Sequence, residues 1–225
     1  MGDVPGLLTP AQQATSRKID RLLAVHQQPP EHTYLPACLA MATLPYMDQG
    51  PILTWVRRAG DFQLMVRAHP EFRLPFGVYP RLLSMWITNE IKRTQNRTIT
   101  LDGSYQAFLR ELKLHSDGMT RARFSDQANR LLMSAISYER IDATRRSYVD
   151  AGVATRYESW WNVNDPQNPN REILVGEMFF EQVMKHAFPL DLRIVNAFKR
   201  SPLALDLYAW LTYRYFTIDK PTPIS

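Results

Sequence analysis

The chain has 225 residues, 45% of them apolar and 22% charged, with a formal net charge of +5. That is ample material for a packed core, while charges interrupt every apolar run too soon for a membrane-spanning helix. A single cysteine, Cys38, rules out an intrachain disulfide and suits a reducing cytoplasm, and no basic segment followed by an apolar block marks a signal peptide.

In chain order, residues 1–45 read as an appendage with one helix. Thr9-Pro10 caps a helix running to about Val25, with Ile19, Leu22 and Leu23 as its apolar side. His26-Gln27-Gln28-Pro29-Pro30 ends it. His26 and His32 lack further ligands nearby, so surface histidines explain them better than a metal site. Leu53 to Arg58 and Phe62 to Arg67 then read as a hairpin turning at Ala59-Gly60-Asp61. Trp55, Phe62, Leu64 and Val66 are its packed residues, and Arg57, Arg58 and Arg67 its solvated ones. Such a hairpin could lean on the domain that follows, or its uncovered edge could support a homodimer.

The stretch from Phe76 to Ile141 carries the most information. Leu82, Leu83, Trp86, Ile87 and Ile91 share one side of a helix over Pro80–Thr94, with proline in the first turn where its missing N–H has no partner. Thr98 to Leu101 reads as a short strand. A second helix starts after Ser104 and buries Tyr105, Phe108, Leu109 and Leu112. Asp117-Gly118 marks a turn. A third helix, about Thr120–Ser134, buries Phe124, Ala128, Leu131 and Leu132, and its outer face carries Arg121, Arg123, Ser125, Asp126, Asn129 and Arg130.

After it, Ala135 to Ala143 is expected to pair with Thr155 to Val163, with Arg145 and Arg146 near the tip of the connection. Adjacent Trp160 and Trp161 would point to opposite faces of that strand. Asn162–Asn170 is the clearest linker. Glu172–Val175 reads as a strand and Glu177–Lys185 as a helix. A second helical cluster fills Pro189–Phe216: a short helix with Leu190, Ile194, Val195 and Phe198, then a restart at Ser201-Pro202. Leu203, Leu207, Tyr208, Trp210, Leu211 and Tyr215 would form its largely buried face.

Helix, strand, helix, turn, helix, strand is the order of a winged helix-turn-helix, in which the third helix enters the major groove of DNA. The expected fold is therefore α+β: a winged helix-turn-helix domain with an N-terminal β-hairpin (46–163), followed by a partial second winged-helix-like segment (171–225). Arg121, Arg123, Ser125, Asn129 and Arg130 are the groove candidates, because arginine pairs with guanine and asparagine with adenine. Arg121 and Arg123 lead, since groove contacts favour the amino-terminal half of the helix. Arg145 and Arg146 are candidate phosphate contacts. The plainer account of these cations is a solvated basic face. Arg140 points to the strand pair and could be a structural ion-pair partner.

No catalytic chemistry is legible. A phosphate-binding glycine loop, a His-x-His pair with a nearby tyrosine, a Cys/His ligand set and a Gly-x-Ser-x-Gly elbow are all missing from the sequence, so neither an enzyme nor a cofactor is expected.

Three pieces resemble the RepA type of plasmid replication initiator: PFGVYPRLLSMWITNEIKRTQNRTITL (Pro75–Leu101), RFSDQANRLLMSAIS (Arg123–Ser137) and PLDLRIVNAFKRSPLALDLYAWLTYR (Pro189–Arg214). Their order and spacing, with the hairpin LTWVRRAGDFQLMV, carry the likeness. The resemblance implies a cytoplasmic protein that binds repeated double-stranded DNA at a plasmid origin, opens it, and recruits the host initiator and replicative helicase. It departs from the family at Lys220–Ser225, where the remainder of a second winged helix would follow, and this puts full origin recognition in doubt. Two alternatives stay open: a DNA-binding repressor or copy-number regulator, and a non-catalytic helical protein-interaction module.

Overall fold

In the computed structural model, the structure describes residues 9–26, 31–141, 146–150, 152–158 and 171–218. Helices and strictly antiparallel ladders mix along the chain, giving an α+β fold. None of the helices among the described residues is long and apolar enough to cross a membrane.

α1 (Pro10–His26) starts where Thr9 and Gln12 cap one another, as expected, but Ile19 and Leu23 are exposed rather than buried. The next residues are no appendage. β1 (His32–Pro36) pairs with β9 (Ala187–Asp191), from Pro36 opposite Ala187 to His32 opposite Asp191. α2 (Ala37–Met41) is buried behind it, and the contiguous core includes Leu35, Leu39 and Leu44. Cys38 lies in this core, where burial pushes its thiol up to about 12.

β2 (Thr54–Ala59) and β3 (Phe62–Arg67) form the expected hairpin, turning at Gly60 with a φ of +61°. Phe62, Leu64 and Val66 are buried, and the Trp55 indole donates to the Thr43 carbonyl at 3.1 Å. β5 (Ala135–Ile141) pairs with β3 on one side and with β6 (Arg146–Asp150) on the other, giving the order β2-β3-β5-β6. The expected pairing of β5 with residues 155–163 is thus overturned. β6 follows β5 closely in sequence, so pairing the two costs less chain entropy than reaching residue 155, while β3 offers Leu64 and Val66 to bury against Ile136. Residues 154–157 instead make β7 (Ala154–Tyr157), which joins β8 (Glu172–Val175) and β4 (Thr98–Thr100) in the order β4-β8-β7. Trp160, Trp161 and the Asn162–Asn170 linker lie outside the described residues.

α3 (Val78–Thr94) begins two residues before the expected Pro80, behind Gly77 at a φ of +75°, so proline still occupies the first turn. α4 (Tyr105–Glu111) is capped by Ser104, whose side chain accepts from the Ala107 N–H at 3.2 Å. Asp117-Gly118 is not a free turn but the start of α5 (Gly118–Leu132): the Asp117 carboxylate accepts from the Thr120 N–H at 2.9 Å, which holds its pKa below the ordinary carboxylate range. α6 (Glu177–His186) buries Phe179 and Val183.

Leu190, expected in a helix, lies in β9. α7 (Leu192–Phe198) starts only after Asp191, which caps it. α8 (Pro202–Thr217) restarts at Ser201 as expected, with the serine oxygen accepting from the Ala204 N–H at 3.2 Å. Its buried face differs from expectation. Leu205, Asp206 and Ala209 face inward, whereas Leu203, Leu207, Leu211 and Tyr215 are 58%, 52%, 48% and 80% exposed.

An ion pair orients α8. Arg81 on α3 grips Asp206 through Nε to Oδ1 at 2.8 Å and Nη2 to Oδ2 at 2.6 Å. Its remaining N–H groups reach the carbonyls of Leu44, Pro45 and Gly77. All five guanidinium donors are therefore satisfied, which is what permits a charge to be this buried. Burial pushes the Asp206 carboxyl above its ordinary range, and the paired guanidinium opposes that rise.

Candidate nucleic-acid interface

α5 is held from behind. Phe124 packs edge-on against Phe108 at 5.6 Å and Tyr79 at 5.7 Å, and Ala128, Leu131 and Leu132 complete the buried side. A helix fixed this way presents its opposite side in one orientation, and the predicted groove residues divide there into two groups.

Arg121 and Arg123 are exposed on the amino-terminal half. The Arg121 guanidinium lies 5.4 Å from the centre of the Tyr105 ring, a cation–π contact that limits its swing without occupying its donors. Arg123, two residues on, lines a cleft. Ser125, by contrast, turns inward: its hydroxyl donates to the Arg121 carbonyl at 2.8 Å and meets the Tyr105 hydroxyl at 2.9 Å. Asn129 accepts from the Tyr157 hydroxyl at 2.9 Å, tying α5 to β7. Arg130 is equally committed. It donates to Asp126 at 3.0 Å and to the Leu74 carbonyl at 3.3 Å, and stacks over Phe76 at 5.4 Å. From Ser125 onward, these polar side chains of α5 are spent holding the helix in place.

Arg146 is the first residue of β6, opposite Ile141, and Arg145 lies outside the described residues. Arg140 donates to Asp61 at 3.0 Å across the sheet, the structural ion pair that its position suggested.

Sequence reasoning missed the partners of Arg123. The cleft it lines has a volume of about 630 Å³, with a floor of Phe76, Val78 and Tyr79 at the start of α3. One wall is the turn between α4 and α5, bearing Lys113 and His115. The other is the turn between α7 and α8, bearing Lys199 and Arg200. The Lys199 ammonium donates to the Lys113 carbonyl and so clasps the two turns together. Burial, then the charges of Arg200 and Lys113, lower the Lys199 pKa. Asp126, the carboxylate among the cleft's lining residues, is already paired with Arg130. The field in the cleft is therefore positive.

A sequence profile described as "Plasmid encoded RepA protein" matches residues 74–222, more than half of the chain. The chain belongs to this RepA family. The RepA match runs from the start of α3 through the end of α8, so α5 and every cationic turn of the cleft fall within it. Among solved structures, this RepA-family chain is similar in fold to domains 2 and 3 of RctB, with a TM-score of 0.51 at 14% identity over 80% of this chain and 70% of that one. No curated protein matches the sequence.

Proposed function

We propose that this RepA-family chain is a plasmid replication initiator that binds repeated double-stranded DNA at its origin, acting by binding rather than by catalysis. In this proposal α3, β4, α4 and α5 are the helix-turn-helix part of a winged helix, and the amino-terminal half of α5 enters the major groove. The β5–β6 hairpin takes the position of the wing, with Arg145 and Arg146 against phosphates, and the segment from residue 171 begins a second unit of the same kind. Opening of the origin and recruitment of the host initiator and helicase follow from bound DNA.

The observation that carries the proposal is the pairing of exposed Arg121 and Arg123 with a helix locked from behind by Phe124, Ala128 and Leu131. Base readout needs side chains held in register with base edges, and a rigid helix in the groove supplies that. Loosely placed surface cations would supply only affinity.

Anisotropy titrations of duplex DNA taken from beside the coding sequence, against a scrambled duplex over a salt series, test this. The native duplex should keep its advantage as salt rises. Arg123→Ala should cost about 1–3 kcal/mol on that duplex and shrink the preference, as loss of a base-reading arginine does. Equal, steeply salt-dependent binding of both duplexes would sink the proposal. If the native duplex binds but its strands never become permanganate-reactive, the chain is a repressor or copy-number regulator rather than an initiator.

A further inference from the structure

The cationic cleft joins two parts of the chain far apart in sequence. Lys113 sits at the end of α4, Arg123 on α5, and Lys199 and Arg200 before α8. Among the described residues none of these four has an ion pair, and the nearby carboxylate, Asp126, is engaged by Arg130. Like charges so close repel one another, a cost that an arriving anion converts into attraction. The wall is also fixed, since Lys199 is fastened to the Lys113 carbonyl and Arg200 follows at the start of the α8 cap.

We propose that Lys113, Lys199 and Arg200 are a phosphate-contacting wall beside α5, so that a DNA backbone strand flanking the groove site runs along the cleft. The α7–α8 turn then belongs to the same DNA footprint as α5, rather than acting only as the beginning of a separate unit. This rests on duplex DNA lying against α5 as proposed above. Phosphate contacts position the duplex without reading it, so the wall adds affinity and salt dependence equally for every sequence.

The test uses the full chain, the same two duplexes and the double variant K199Q/R200Q, with R200E as a second variant. Arg200 is exposed and does not take part in the Lys113 clasp, so R200E leaves the fold intact, as thermal unfolding will verify. Removing two phosphate contacts should make the log–log salt slope shallower by about 2. It should weaken both duplexes roughly 50- to 100-fold at 0.1 M salt relative to 1 M, with their ratio unchanged. R200E should weaken both duplexes in the same uniform way. If R123A relaxes sequence preference while both wall variants keep the wild-type slope, the wall is overturned and the α5 proposal stands. If the wild-type chain shows no preference for R123A to relax, the α5 proposal falls and the wall falls with it.

Discussion

α3 and α8 are close in length and both rich in apolar residues, yet the protein uses them in opposite ways. α3 is buried from Pro80 through Thr88, and even Ser84 and Thr88 are hidden, with their hydroxyls bonded back to the carbonyls of Pro80 and Ser84. α8 buries a narrow strip of Leu205, Asp206 and Ala209 and leaves its i, i+4, i+8 leucines outside. The difference lies in the neighbours each helix finds. α3 is surrounded by β1, β4, α5 and α6, whereas α8 meets α2, α7 and β9 along one side. Arg81 then fixes which side that is, because a buried guanidinium must have a carboxylate opposite it. The most hydrophobic face of a helix is therefore not always its buried face.

The largest effect should come from breaking the pair that links these helices. Arg81→Met should cost about 3–5 kcal/mol, because it leaves Asp206 buried without its partner. Adding Asp206→Leu should restore most of that loss. Urea unfolding of the single and double variants measures both, and an additive double variant would show that the pair does not orient α8. Next, Ile87→Ala on α3 should cost about 2–5 kcal/mol, whereas Leu207→Ala on α8 should stay within about 0.5 kcal/mol. Equal losses would mean that the Leu207 side of α8 is covered in solution. The smallest clear effect should be Ser201→Ala, about 1 kcal/mol from the lost α8 cap, seen as a modest drop in melting temperature.

Local chemistry was legible and long-range pairing was not. Ser104 and Ser201 each cap the helix that the sequence assigns to them, and Gly60 turns the predicted hairpin. These depend on neighbours within a few residues. The pairing partner of β5 depends on which of several strands wins it, and alternation along the strand cannot decide that. The same limit shaped the candidate interface. Spacing alone put Ser125, Asn129 and Arg130 on the outer side of α5, but Tyr105, Tyr157 and Asp126 claim them. Lys199 meets Lys113 across 86 residues, and nothing in either local sequence announces that encounter.

The Arg81–Asp206 pair also bears on how the chain is made. Its partners lie 125 residues apart. At ordinary synthesis rates Arg81 is added to the chain roughly 6–25 s before Asp206. During that interval the side of α3 facing α8 has its cation and no carboxylate to receive it. β1 and β4 likewise wait for their partners β9 and β8, and the joint between α3 and α8 stays wet until α8 arrives. Docking of α8 onto α3 is therefore delayed by the sequence distance between the two halves of one ion pair.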